Sequence, residues 1–218
     1  MHILLTFISW QFVIFATMTK ESDSIEKHPL QPFLPEGARI LMLGSFPPAK
    51  KRWSMEFFYP NWINDMWRVM GLLFFGNKHH FETEGEKRFD KETVIAFCRE
   101  KGIALYDTAC EVRRLKDNAS DKFLEVVTPT NITALLEQMP RCTAIVTTGQ
   151  KATDIITATF KCAEPAVGTA TPIEAGGRKL RFWRMPSTSR AYPLALEKKA
   201  IHYRTMLENE HVINSIAP

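Results

Sequence analysis

The stretch "ARILMLGSFPP", Ala38 to Pro48, runs through four consecutive apolar residues, Ile40 to Leu43, and stops at Gly44-Ser45. A strand with one face in water would alternate apolar and polar residues, whereas an unbroken run closed by turn-forming residues marks a strand buried on both faces. The same pattern recurs in "IALYDTA" (103–109) and "CTAIVTTG" (142–149), which read as further buried strands, and "GRKLRFWRMPS" (177–187) reads as a fourth strand. Between them lie segments of helical periodicity. "INDMWRVMGLLFFG" (63–76) spaces Ile63, Trp67, Met70 and Phe74 along one face and stops at Gly76, and "EGEKRFDKETVIAFCREKG" (84–102) is amphipathic and closes on Gly102. "TNITALLEQMP" (130–140), with Thr130 or Asn131 as its cap, "QKATDIITATF" (150–160) and "PLALEKKAIHYRTMLENEH" (193–211) supply three more helices.

Strands alternating with helices imply parallel strands joined by right-handed crossovers. The expected fold is therefore an α/β, three-layer α/β/α sandwich around a central four-stranded, mainly parallel sheet. In such a sheet the ligand site lies outside the carboxyl ends of the strands, which here means Gly44–Pro48, Asp107–Arg114, Thr148–Gln150 and Met185–Tyr192. The polar stretch "CEVRRLKDNASDKFLEVVTPTN" (110–131), with Asp-Asn-Ala-Ser turn chemistry, reads as an excursion loop.

A chain of 218 residues, 45% hydrophobic and 24% charged, suffices for one core, so a single domain over 18–218 is expected. Residues 1–17 are almost wholly apolar, but no Lys or Arg precedes the run and no clean cleavage site follows it. They are expected to be a hydrophobic leader or a stretch upstream of a true start at Met18. The formal charge of +4 is compatible with a polyanionic partner without demanding one. The four cysteines, at 98, 110, 142 and 162, form no CxxC pair and have no His at metal-ligand spacing, so no metal or cluster site is expected. Reduced thiols in a cytoplasmic protein is the corresponding expectation.

The loops carry the chemistry. "GSFPPAKKRW" (44–53) has a glycine for close backbone approach and a rigid Pro pair, yet it contains neither GxGxxG nor GxxxxGK[ST], which removes the main support for a nucleotide-cofactor fold. "MPSTSRAYP" (185–193) sets Ser187, Thr188 and Ser189 ahead of a helix, where hydroxyls and backbone N–H groups suit a phosphate or simply cap the helix. Ser187 is not framed as GxSxG, so serine hydrolase chemistry fits poorly. "FFYPNWINDMWRVMG" (57–71) crowds rings and amides beside the first loop.

Taken in order, "LMLGSFPP", "FFYPNWINDMWRVMG", "IALYDTACEVRR" and "MPSTSRA" resemble the motifs of the uracil-DNA glycosylase superfamily, and within it the hypoxanthine-DNA glycosylase-like branch. The resemblance spans roughly Glu26 to Glu208. It implies a monofunctional DNA glycosylase that hydrolyses the N-glycosidic bond of uracil or hypoxanthine flipped out of DNA. It also implies DNA as the partner, a monomer, and neither metal, cofactor nor membrane. Two positions depart from the superfamily pattern. Phe46 stands where GQDPYH or GINPG motifs carry Asp or Asn, and Met185 stands where HPS or NPS motifs carry His or Asn. The resemblance to the hypoxanthine-type branch implies that an Asn in an NxFW pattern takes over. That implies Asn64 of "NDMW" as the catalytic side chain, with Asn61 as its competitor and an N-cap role as the alternative for Asn64.

The physical requirements of base excision distribute the remaining residues. A flipped base needs an aromatic face, an edge reader and a filled gap behind it. Gly44, Ser45 and Phe46, with Phe57, Phe58 or Tyr59, are the base-binding candidates. Pro47, Lys50, Lys51, Arg52, Ser187, Thr188, Ser189, Arg190 and Tyr192 are the DNA-contacting ones, with Arg190 or Tyr192 as the wedge. Asp65 and Asp107 are further general-base candidates, Asp65 the weaker because a helical Asp usually faces solvent. A non-catalytic damaged-DNA binder and a hydrolase of free nucleosides are the rival readings.

Overall fold

The computed structural model describes residues 24–115 and 123–214. The apolar leader 1–17 and the turn Asp117–Ser120 lie outside the described residues. In chain order the elements are β1 (Ile25–Lys27), β2 (Ile40–Gly44), α1 (Met66–Phe75), α2 (Lys91–Lys101), β3 (Ile103–Asp107), β4 (Ala109–Arg114) and β5 (Leu124–Pro129). There follow α3 (Ile132–Glu137), β6 (Ala144–Thr148), α4 (Gln150–Phe160), β7 (Thr169–Ala175), β8 (Arg178–Met185) and α5 (Leu196–Asn209).

The main sheet has five strands in the order β3-β2-β6-β8-β7, not four. Four of its strands are parallel, β2 with β3, β2 with β6 and β6 with β8, and the additional strand β7 runs antiparallel to β8 at the edge. Its sequence "TATPIEA" contains Pro172, which cannot donate to a ladder on both sides and is tolerated on an edge strand. Every residue of β2 and β3 is buried, as an unbroken apolar run between two covered faces requires.

The described parts of the stretch expected as an excursion loop are instead two paired strands. β4 and β5 pair antiparallel, and β1 adds to the far edge of β4 to make a three-stranded sheet. Its polar composition follows from its exposure: β5 buries only Leu124, while Val112, Leu124 and Ala109 close around Phe46 in a second small apolar cluster. The N-terminal segment then crosses from this sheet to the main one. His28 N–H donates to Cys110 O at 2.8 Å, and Phe33 exchanges hydrogen bonds with Leu105 on the open edge of β3 at 3.0 and 2.9 Å.

Helix boundaries follow capping chemistry. Asp90 caps α2 by accepting from the N–H groups of Glu92 and Thr93 at 3.1 and 3.2 Å, and from Thr93 Oγ1 at 2.8 Å. Asn131, one of the two residues proposed for the role, caps α3 through Ala134 N–H at 3.1 Å. α1 ends where Gly76 turns left-handed with φ 64°. α1 and α5 pack against each other.

The Asp90 cap makes a testable contribution. Hydrogen bonds from Thr93 and Glu92 hold the Asp90 carboxyl below its ordinary value, so its stabilisation is present above the unfolded-state carboxylate range and is lost as pH falls through the lowered folded value. Asp90→Ala is expected to lose about 1 kcal/mol in urea unfolding at pH 7, with the difference from the parent shrinking in strongly acidic buffer.

Candidate active site

The parallel register sets Gly44, the last residue of β2, directly opposite Asp107, the last residue of β3. A Cβ at position 44 would run into Asp107 Oδ1, so only glycine lets the carboxylate lie across the strand end. Asp107 Oδ2 accepts from His28 Nε2 at 2.9 Å. His28 is nearly enclosed, its side chain 2% exposed, with its ring against Tyr106 at 4.6 Å, Phe46 at 5.3 Å and Phe58 at 6.3 Å. Its Nδ1 lies 2.8 Å from Leu30 O and 3.1 Å from Leu30 N, which fixes the ring. The backbone of Asp107 is tied as firmly, because Thr130 Oγ1 donates to its carbonyl at 2.7 Å and Thr108 N–H donates to Gly44 O at 2.9 Å.

The hydroxyl of Tyr59 closes the other side of Gly44. It lies 4.0 Å from where a Gly44 Cβ would stand and 3.0 Å from Thr148 Oγ1 at the end of β6. Burial, with the negative charge of Asp107 adding to it, pushes the phenol well above its ordinary value, so Tyr59 is a neutral donor at physiological pH. Its φ of 51° is rare for an aromatic residue and is the type of backbone strain that gathers at binding sites. Next along the strand ends, Gly149 packs 3.5 Å, measured from an ideal Cβ, from Ser187 Cβ in the loop after β8.

That last loop is gripped from beneath. Tyr203 O–H donates to Pro186 O at 3.1 Å, Asp65 N–H to Thr188 O at 2.9 Å, and Lys199 Nζ to Ser189 O at 3.0 Å. Lys199, on α5, is wholly buried and pairs with Asp65 Oδ2 at 3.0 Å, while Arg190 Nε pairs with Asp65 Oδ1 at 3.0 Å. Both oxygens of Asp65 are therefore committed to structural cations, which removes it as a general base. Within the loop, Ser187 Oγ accepts from Ser189 N–H and Ser189 Oγ from Ala191 N–H, each at 3.2 Å, and Ser189 and Arg190 remain exposed while Thr188 is buried.

The two amides are tied into local turns. Asn64 Oδ1 accepts from Met66 N–H at 2.9 Å, and its backbone bridges to Ser189; Asn61 Oδ1 accepts from Ile63 N–H at 3.2 Å. Asp65, not Asn64, is the residue preceding the first turn of α1. Among the described residues neither Nδ2 is hydrogen-bonded, which leaves each as a donor.

Burial reorders the aromatic candidates. Phe57 is sealed among Phe33, Phe58 and Trp67, and Phe58 reaches the strand ends only against His28 and Tyr106, so both belong to the core and Tyr59 is the ring left beside Gly44. Phe46 is likewise packed into the small cluster under Arg114. The first loop is braced at its carbonyls, with Arg114 donating to Pro47 O at 2.7 Å and Trp53 Nε1 to Pro48 O at 2.6 Å. Lys50, Lys51 and Arg52 form an exposed 3-10 turn in which Lys50 pairs with Glu56 at 2.8 Å and lies over Trp53. Tyr192 is half-buried beyond the last loop. His28 had no signal in the sequence, being 79 residues from its partner and outside every strand-end loop.

Apart from the strand ends, an open hollow of about 430 Å3 lies against α1 and α5, lined by Asp65, Arg68, Lys78, Arg190 and Glu197 among others. Among the described residues no group of three or more His, Cys, Asp or Glu side chains is arranged to hold a metal, and no helix is long and apolar enough to cross a membrane.

No protein-family model matches this chain, and no curated protein matches it in sequence. Among solved structures it is similar to a protein from Methanosarcina acetivorans whose solution NMR structure is described as that of a "putative Uracil DNA glycosylase". The TM-score is 0.56 at 19% identity, over 84% of this chain and 99% of that one. The shared property is the fold.

The grip on the last loop is testable. Lys199→Met leaves Asp65 buried beside a single, half-exposed Arg190 and is expected to lower unfolding free energy by about 3–5 kcal/mol in urea titration.

Proposed function

We propose that the protein is a monofunctional DNA glycosylase that hydrolyses the N-glycosidic bond of a deaminated base, uracil or hypoxanthine, flipped out of DNA to leave an abasic site. The observation that carries this reading is the convergence of Gly44, Tyr59, Asp107, Thr148 and the Ser187–Ser189 loop on one end of the parallel strands. The motif order in the sequence and the likeness in fold to a structure described as a glycosylase support it.

Each element has a physical task in that reaction. Glycine at 44 leaves the room that Asp107 Oδ1 occupies, and the braced Pro47-Pro48 turn forms the adjoining border of the space for a base. Tyr59 and the free Nδ2 groups of Asn64 and Asn61 are donors for the base edge, where negative charge collects as the bond to the sugar breaks. Because the carbonyls of Pro186, Thr188 and Ser189 are held from within the protein, the loop is left to offer hydroxyls and N–H groups to DNA phosphates. Lys50, Lys51, Arg52, Arg190 and Tyr192 extend that phosphate-facing rim, and Pro47 sits at its inner edge. Arg190, paired with Asp65, is steered rather than free, which suits a phosphate contact better than a wedge.

Purified protein is expected to release uracil or hypoxanthine from oligonucleotides, with activity falling as salt rises. Asn64→Ala is expected to slow release by on the order of 100-fold as one donor to the leaving base is lost. Binding of damaged oligonucleotide without abasic product would favour a non-catalytic relative, and salt-insensitive hydrolysis of free nucleosides would favour a small-molecule hydrolase.

A further inference from the structure

We infer that Asp107 is the catalytic residue that takes the proton of the attacking water, and that His28 is the residue that positions it. The inference rests on the glycosylase reading and adds the group that this reading otherwise lacks. Phe46 and Met185 have no atom that accepts a proton, both oxygens of Asp65 are paired, and the amide oxygens of Asn64 and Asn61 are occupied in turns. Asp107 differs from all of these. Its Oδ2 is held by His28, while its Oδ1 accepts no hydrogen bond among the described residues, on a side chain that is 10% exposed. Oδ1 sits in the space a side chain on residue 44 would fill, beside the Tyr59 hydroxyl and at the carboxyl end of the central strands. A carboxylate at a strand end with one oxygen anchored and the other without a protein partner among the described residues is suited to hold one water in a fixed direction.

The step balances without a co-reactant. The C1′–N bond breaks with its electron pair leaving on the base, and the water oxygen bonds to C1′. One water proton passes to Asp107 Oδ1. Asp107 then gives that proton to solvent or to the departed base, which restores the carboxylate. His28 contributes no proton; through Nε2–H it keeps Oδ2 engaged so that Oδ1 faces the site. The route that places it there is the crossing of the N-terminal segment from the small sheet to the edge of β3.

The experiment is single-turnover base release from a uracil- or hypoxanthine-containing duplex, run with duplex affinity and the thermal unfolding midpoint for each variant. Asp107→Asn keeps the shape and is expected to lower the rate by about 100-fold or more with affinity retained. His28→Phe keeps a ring among Phe46, Phe58 and Tyr106 but loses the N–H, and is expected to slow release between about 10-fold and 100-fold. His28→Gln restores a side-chain donor and should recover most of that loss, which a purely packing role for His28 would not predict. If the parent is active and Asp107→Asn cleaves at the parent rate, the inference is overturned and the glycosylase reading stands. It is equally overturned if rate, affinity and unfolding midpoint all fall together, since Asp107 is then structural. A parent that releases no base overturns the reading and the inference together.

Discussion

The register of β2 against β3 puts a residue without a side chain opposite a carboxylate, and the site is arranged around that pairing. Gly44 does not merely permit a turn. Its missing Cβ is the volume in which Asp107 Oδ1 lies, so shifting the register by one residue would set Asp107 against a side chain and turn every neighbour to the opposite face. Around this point each strand end adds one group from a different part of the chain: Tyr59 to Thr148, Gly149 to Ser187, and the bridge from Ser189 to Asn64. β2, β3 and β6 are buried on both faces, and close packing on both sides of these strands is what holds such distant residues at their strand ends together.

A second constraint works from below. Lys199 is buried with its ammonium between Asp65 and Ser189 O, an arrangement that seldom adds net stability but is severe when broken. Its consequence is geometric. The same two residues, Asp65 and Lys199, join α1, α5 and the last loop, so the loop's backbone direction is set by helix packing instead of by its own turn chemistry. The aromatic run 57–67 divides in the same spirit. Phe57, Phe58 and Trp67 are core, and the strained Tyr59 between them is the ring turned toward the strand ends.

β2, β3 and β6 were legible in the sequence because burial on both faces writes itself as unbroken apolar runs, whereas β8 mixes Arg and Lys with buried Leu180, Phe182 and Trp183; of the segments expected to follow the strands, Ala109–Arg114 is itself strand β4. β1, β4, β5 and β7 were not legible, since edge and one-sided strands such as "LEVVTP" and "TATPIEA" carry polar or proline residues that read equally well as loop. The cap of α3 was legible to within one residue, Thr130 or Asn131, because capping is local, and the structure gives Asn131. His28 was not, because its role exists only through a crossing between two sheets that brings it to Asp107. For Asp65, the usual solvent exposure of a helical Asp set the expectation, and the buried partner that contradicts this, Lys199, comes from 134 residues away.

The proposed receipt of a base at the end of the β2–β3 pair is tested most directly by a crystal structure. The protein would be bound to duplex DNA carrying one deaminated nucleotide whose glycosidic bond is made unreactive by a fluorine on the sugar. The predicted result is a flipped base beside Gly44 and Tyr59, with a water between Asp107 Oδ1 and C1′ and the flanking phosphates against Ser187–Ser189. A base lodged elsewhere, for instance in the hollow against α1 and α5, or a duplex bound with every base still stacked, would contradict it.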